Sequence, residues 1–500
     1  VTASLVQPID LDTLDLDSFA GQPVAVLGLA RSGVALTRFL ADRCAQVTVY
    51  DGRPAEALVT QIGQLEGRTV RLLLGPDIDP RDALDGQALV TTSPSVSSRY
   101  PTTEPRLRSA LAAVEADGRV PVVSEVDLFL RLCPATTIGV TGTKGKTTTS
   151  ALTAAVLGQG AAPVVLGGNI GTPLVERLPE LTADHRVVLE LSELQLPTIS
   201  RGTDVAVYTH VSSDHLDRHG TVEAYRAAKR RLAELAPPDG RLVLNAEDPI
   251  SAAFASSSQA RPLFYRRDEP LPGGVGIRDG WVVADRLEPW HAPEGSVAMT
   301  GRDGRVLPLE EVGLRGWHNT SNVLAAVAMG LLMGVAPDAI RRAVAGFQGV
   351  EHRLEHVTTI DRVVFINDSN GTQPDAVIAA LHSFEQPLVL IAGGRTKNLS
   401  YDALARVVAK RATAVVLIGE TAGEMRAAFA AAGAQRLEDA PDLRSAVRLA
   451  DSIARTELAE RDQAASATVL LSPAATSFDM FVDYAARGDA FKAAVAELNR

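Results

Sequence analysis

Short apolar runs recur along the chain, and each ends in glycine or a polar cluster. Continuous apolar runs, as opposed to alternating ones, mark strands covered on both faces of a sheet. Residues 24–27, 47–50 and 90–92 read as three such strands. The first empties into Gly28-Leu29-Ala30-Arg31-Ser32-Gly33 and a helix over 34–41. The second ends at Asp51, and the third at the turn Ser93-Pro94-Ser95. Residues 121–125 lead into a further helix. A glycine turn after one strand and an acid after the next open a doubly wound α/β domain.

A strand over 137–140 runs into Thr141-Gly142-Thr143-Lys144-Gly145-Lys146-Thr147-Thr148-Thr149, and a helix over 151–157 stops at Gly158. A second glycine-rich loop covers 166–171. Residues 187–192 form a strand carrying Glu190, and 205–209 a strand that empties into His210 to Asp217. Lys229 lies in an alanine-rich helix, a pattern that by itself predicts a solvated amine. A strand over 242–245, hairpins from Pro270 to the runs near Trp281, and a helix over 323–333 follow. Asn319 and Asn322, three apart before that helix, would cap it or read an adenine edge.

After Glu351-His352-Arg353-Leu354-Glu355, read as a hinge carrying a cation, strands are expected near 365–367, 388–392, 415–418 and 469–471, with helices between them. That pattern predicts a parallel, doubly wound sheet. The expected fold is α/β in three domains: a Rossmann-like domain over 1–136, a central P-loop ATPase domain with a mostly parallel sheet over 137–350, and a second Rossmann-like domain over 351–500. Five hundred residues accommodate this.

Composition narrows the partners. A net charge of −11 leaves no basic excess for nucleic acid. Two cysteines, Cys44 and Cys133, supply neither a disulfide framework nor a thiol metal site. No apolar run reaches membrane-spanning length and no basic stretch precedes a hydrophobic one, so the expected setting is the cytoplasm, without membrane insertion.

Three stretches carry chemistry. Strand, glycine loop and helix around Gly142 and Gly145 make a phosphate cradle, with Lys146 reaching the terminal phosphates and Thr147 placed for Mg²⁺. Only two residues separate the glycines, fewer than in the usual P-loop. Glu190 and Ser192 offer oxygen ligands to a hard cation. The His210–Asp217 cluster lacks cysteines and helical histidine spacing, which disfavours zinc. In the first segment Ala30 replaces the middle glycine of a dinucleotide fingerprint, so a phosphorylated nucleotide or nucleotide sugar is expected there instead of NAD, with Asp51 and Arg53 at its rim.

Together these motifs resemble the Mur ligases, ATP-dependent enzymes that add amino acids to the peptidoglycan precursor. The resemblance covers nearly the whole chain. It implies ATP contacts at Gly142, Thr143, Lys144, Gly145, Lys146, Thr147, Thr148, Asn319, Asn322, Arg353 and Asp368. It implies UDP-substrate contacts at Ala30, Arg31, Asp51, Gly52, Arg53, Ser95, Asn169, Ser192 and Gln195. Glu190-Leu191-Ser192 and Asp214-His215-Leu216-Asp217-Arg218 look like the family's Mg²⁺ segments. The implied metal set is Thr147, Glu190, His215 and Lys229, the last as a carbamate, with two Mg²⁺ ions. Lys146, His215, Lys229 and Arg353 are the implied catalytic residues.

The segments from Ser472 to Phe481 and from Arg487 to Phe491 are similar to the family members that add D-glutamate to UDP-N-acetylmuramoyl-L-alanine. They imply a glutamate pocket of Thr372, Lys397, Ser477, Phe478 and Tyr484, and a monomeric enzyme. Asn370-Gly371 replaces the usual Lys-Ala after Asp368-Ser369, which leaves L-glutamate as an alternative acceptor. Lys144 replaces a common asparagine, as in folylpolyglutamate synthases, which keeps that chemistry as a second alternative.

Overall fold

The computed structural model describes residues 6–171, 173–212, 219–290, 297–314, 317–385, 387–395, 400–459 and 465–499. The chain divides into two compact units, Val1–Phe347 and Gln348–Arg500.

The first unit holds two sheets. Strands β1 (Pro23–Leu27), β2 (Gln46–Asp51), β3 (Val70–Leu74), β4 (Leu89–Thr92) and β5 (Val122–Ser124) pair in parallel in the order β3-β2-β1-β4-β5. The order reverses beside β1, so a crevice opens at the carboxyl ends of β1 and β4. The second sheet comprises β6 (Thr136–Thr141), β7 (Val164–Gly168), β8 (Arg186–Glu190), β9 (Val205–Tyr208), β10 (Arg241–Asn245), β11 (Arg261–Tyr265), β12 (Val275–Arg278), β13 (Trp281–Ala284) and β14 (Arg305–Pro308). Its order is β14-β13-β12-β11-β10-β9-β6-β8-β7, with only β12–β13 and β13–β14 antiparallel. The helix Trp317–Leu332 lies over this sheet, and every residue from Val323 to Met329 is fully buried. A helix apolar all round belongs in such a place.

The two sheets share a hydrophobic core that runs from Ile9 and Phe19 through Phe129 to Leu189 and Leu242. Polar ties cross the same joint. Asp127, on the helix Glu125–Leu132, accepts hydrogen bonds from the backbone N–H groups of Ser200 (2.6 Å) and Arg201 (3.2 Å). The Tyr100 hydroxyl donates to the Leu194 carbonyl at 2.6 Å.

The second unit has one sheet: β15 (Glu355–Ile360), β16 (Val363–Asn367), β17 (Leu388–Gly393), β18 (Ala414–Ile418), β19 (Leu437–Asp439) and β20 (Ala467–Leu471), in the order β15-β16-β20-β17-β18-β19. No helix among the described residues is long and apolar enough to cross a membrane.

Several expectations are corrected. β3 and β5 went unread, because β3 is a half-buried edge strand broken by exposed Arg71 and β5 is very short. Leu166 to Gly168, expected as loop, complete edge strand β7, where Gly168 stands opposite Glu190. The third sheet is not wholly parallel: Glu355, expected within a hinge, opens β15, which pairs antiparallel with β16. Helices start earlier than their apolar residues, at Arg31 and at Lys146, because polar first turns still satisfy helical geometry. Asn319 and Asn322 lie inside the helix Trp317–Leu332 and do not cap it.

The joint between the first two sheets generates a prediction. Burial pushes the Glu125 carboxyl up to about 7 from its usual 4.5, against the opposing pull of the Val175 backbone N–H and the Arg31 charge. The folded state therefore keeps a proton that the unfolded chain releases as pH rises from 4.5 to about 7, and stability falls across that window. Glu125→Gln is neutral at every pH. In urea titrations it should match the parent near pH ~5 and exceed it by roughly 2 kcal/mol near pH ~8.

Candidate active site at the phosphate loop

β6 lies between β9 and β8, and the chain leaves β6 and β9 in opposite directions along the sheet. The loop after β6 therefore sits at a switch point. Gly142 has φ of 151°, and a Cβ there would lie 2.0 Å from Thr209 Oγ1, so no side chain fits. The loop is tied to the end of β9: the Thr143 N–H donates to the His210 carbonyl (2.6 Å), and Thr209 Oγ1 donates to the Lys144 carbonyl (2.6 Å). Gly145 caps the helix Lys146–Leu157. Lys146 Nζ curls back to within 3.0 Å of the carbonyl oxygens of Gly142 and Thr143. Thr147 is buried, and Lys144 is exposed at the lip.

Behind this loop stand groups from three other elements. Thr149 donates its hydroxyl to Asn322 Oδ1 (3.1 Å), and Asn322 Nδ2 donates to Asn319 Oδ1 (3.1 Å), so the asparagine pair backs the first turns of the phosphate helix. Glu190 ends β8 opposite Val140 and is 2% exposed. Its Oε1 accepts from Asn169 Nδ2 at 2.8 Å, whereas its Oε2 is buried with no hydrogen-bond partner among the described residues. Lys229, expected in solvent, has no exposure. Its ammonium donates to Thr141 Oγ1 (3.2 Å) and lies 5.6 Å from the centroid of the Tyr225 ring. The Tyr225 hydroxyl is in turn 2.9 Å from Thr143 Oγ1. The pattern failed at Lys229 because the helix Val222–Glu234 turns that lysine, with Tyr225 one turn earlier, onto the sheet.

Thr141, Thr209 and Tyr225 were missed by sequence reasoning. The one available signal was the Tyr225/Lys229 spacing of four on a helix. No group of three His, Cys, Asp or Glu side chains that could by itself hold a metal ion is assembled among the described residues. The unsatisfied Glu190 oxygen and the Thr147 hydroxyl are hard donors that suit Mg²⁺. His215 and Lys397 lie outside the described residues, as does the side chain of His318.

The first sheet shapes a second concavity. Asp51 Oδ2 accepts from the Leu29 N–H (2.8 Å), and its Oδ1 from the Arg53 N–H (3.0 Å) and Arg53 Nε (2.9 Å). Burial opposes the charge on Asp51, but the bonds from Arg53 and Leu29 outweigh it and hold the carboxyl below its usual 3.8. The turn is packed so closely that a Cβ on Gly33 would lie 1.7 Å from the Gly28 carbonyl oxygen. Ala30 precedes the first helix, and Arg31 and Ser95 are exposed with Gly52 half-buried nearby. Asn169, Ser192 and Gln195 sit elsewhere, beyond the ends of β7 and β8, where Gln195 Oε1 accepts from the Ser192 N–H (2.9 Å) and hydroxyl (3.0 Å).

In the second unit Asp368 follows β16 and is 4% exposed. Its Oδ2 accepts from Ser472 Oγ (2.6 Å) and its Oδ1 from the Leu354 N–H (3.2 Å), while burial pushes it up to about 6. Arg353 is exposed between His352 and Leu354, both of which have positive φ. Ser477 is buried, Phe478 is 58% exposed, and Thr372 and Tyr484 are half-buried.

Comparison with known proteins agrees with this architecture. The Mur ligase middle domain matches residues 140–330, and the Mur ligase glutamate ligase domain matches residues 352–475. A UDP-N-acetylmuramoylalanine–D-glutamate ligase of Pelotomaculum thermopropionicum is 36% identical over 97% of this chain and 100% of its own length. The enzyme of the same name from Symbiobacterium thermophilum is 38% identical over 95% of this chain and 98% of its own. In fold, the UDP-N-acetylmuramate–alanine ligase of Thermotoga maritima superposes with a TM-score of 0.52 at 16% identity, covering 96% of this chain and 100% of that one. With three α/β sheets, a phosphate loop at the central switch point and relatives matched end to end, this chain belongs to the Mur ligase family.

Proposed function

We propose that the protein joins D-glutamate to UDP-N-acetylmuramoyl-L-alanine at the expense of ATP, through an acyl phosphate. The observation that carries this reading is the buried, unsatisfied Glu190 oxygen beside the phosphate loop, in a chain whose full-length relatives bear that activity in their names. Lys146 is suited to follow the γ-phosphoryl group onto the substrate carboxylate, since positioning and charge neutralisation make up most of such a transfer. Mg²⁺ held by Glu190 and Thr147 would neutralise phosphate charge. The acyl phosphate is then attacked by the neutral amine of glutamate, forming the amide and releasing phosphate. On motif resemblance we assign Arg353 to phosphate, Asp368 to ribose, His215 to a second Mg²⁺ and Lys397 to a glutamate carboxylate. The crevice at Ala30, Arg31, Asp51, Gly52, Arg53 and Ser95 is assigned to UDP.

A carbamate on Lys229 deepens this assignment. Loss of one proton from the ammonium and addition of CO₂ to the resulting amine, with loss of a second proton, would turn a buried cation into an anion, which suits a magnesium site better than an ammonium does.

Three outcomes are expected. With UDP-N-acetylmuramoyl-L-alanine, ATP and Mg²⁺, ADP release should require D-glutamate; release with L-glutamate alone would correct the acceptor, and release with tetrahydrofolate alone would refute the reading. Lys229→Ala should lose nearly all turnover and regain part of it with added short carboxylates; an essential lysine without added mass and without rescue would refute the carbamate. Gly142→Ala should weaken ATP binding by at least about tenfold in calorimetric titration, because its Cβ must displace Thr209.

A further inference from the structure

Arg487 is among the largest side chains in the protein with no exposure. It projects from the first turn of the helix Tyr484–Ala496. Its Nε donates to Ser369 Oγ (3.0 Å), its Nη2 to the Ser369 carbonyl (2.9 Å), and both terminal nitrogens to the Ala475 carbonyl (3.2 Å each). Every one of these acceptors is neutral, and no carboxylate forms an ion pair with it among the described residues. Asp479 acts only through space, and burial lowers the guanidinium to about 10, still charged at neutral pH.

The acceptors belong to two adjacent loops. One follows β16 and leads to Thr372; the other follows β20 and leads to Ser477 and Phe478. The loops are also stitched to each other, the Ala474 N–H donating to the Gly371 carbonyl at 2.9 Å. The Ser369 hydroxyl in turn donates a hydrogen bond to the Tyr484 carbonyl at 2.7 Å. One guanidinium thus joins the three segments that carry Thr372, Ser477, Phe478 and Tyr484.

Burying a cation without a hydrogen-bonded anion is costly, and neutral carbonyls together with the more distant Asp479 charge offset only part of that cost. A structural clamp alone does not need the charge. A site for an anion does, because a charge only partly neutralised in a low-dielectric interior projects a positive potential through the loops that it holds. We infer that Arg487 is a positioning residue of the acceptor site, which holds these segments in register and supplies the positive potential by which an acidic amino acid is preferred over its neutral amide. This rests on the glutamate reading proposed above.

The test uses the full-length protein and compares glutamate with glutamine as acceptor. If the parent does not turn over glutamate, the underlying reading fails, and this inference with it. If it does, Arg487→Met should raise the glutamate KM by about ten- to a hundredfold, leave the KM values for ATP and the UDP-sugar within about twofold, and shrink the preference for glutamate over glutamine. Arg487→Lys should restore part of that preference, since it returns the charge without the planar fork. An unchanged preference, or an equal rise in all three KM values, would overturn the inference. Should Arg487→Met fail to fold, Ser369→Ala removes one arm of the clamp and keeps the charge. It should raise the glutamate KM severalfold with the preference retained; no change in KM would overturn the clamp.

Discussion

The central sheet is organised around a lysine whose terminal nitrogen is removed from water. Lys229 has no exposure, and desolvating a charge costs several kcal/mol unless partners are held in place for it. The partners named here are the Thr141 hydroxyl, where β6 gives way to the phosphate loop, and the face of Tyr225. Both are tied to the loop's own geometry, since Tyr225 meets Thr143 and Thr143 meets the end of β9. The loop's shape and the lysine's burial are therefore parts of one arrangement, joined through Thr141, Tyr225 and Thr143.

The same device recurs with different charges. In the first sheet a buried carboxylate, Asp51, holds the backbone of a glycine turn from behind. In the third a buried guanidinium, Arg487, holds two loops from behind. In each case a buried polar side chain, from a strand end at Asp51 and from a helix at Lys229 and Arg487, anchors a segment that follows a strand's carboxyl end and whose exposed side is left for a ligand. Strand ends in doubly wound sheets are where such segments gather.

Much of this was legible in the amino-acid order. The strands that are buried on both faces read as apolar runs, and the phosphate loop, Glu190 and the glycine turn at Gly28 were found where the structure has them. What escaped has a common cause. β3 and β15 are edge strands, half-buried, and lack the continuous apolar signal of interior strands. Lys229 was read as solvated because a helix's buried face is set by what it packs against, which local composition does not contain. Asn319 and Asn322 looked like caps because polar residues precede the apolar run, yet the helix extends through them to reach Thr149. Tertiary partners decided each of these cases.

The joint at Asp127 bears on how the chain can be divided. Composition and motif order invite a cut near residue 136, between the first and second sheets. The core there is continuous, with Phe129 and Leu130 in one cluster with Leu189 and Leu191, and the Asp127 carboxylate is bonded to backbone N–H groups of the second sheet's loops. A fragment ending at that point would carry an apolar face into water and strip Asp127 of its backbone donors at Ser200 and Arg201, leaving it Arg131 from its own helix. The first sheet is thus a module in topology and not in thermodynamics, and its evolutionary exchange between enzymes would have to bring its seat along with it.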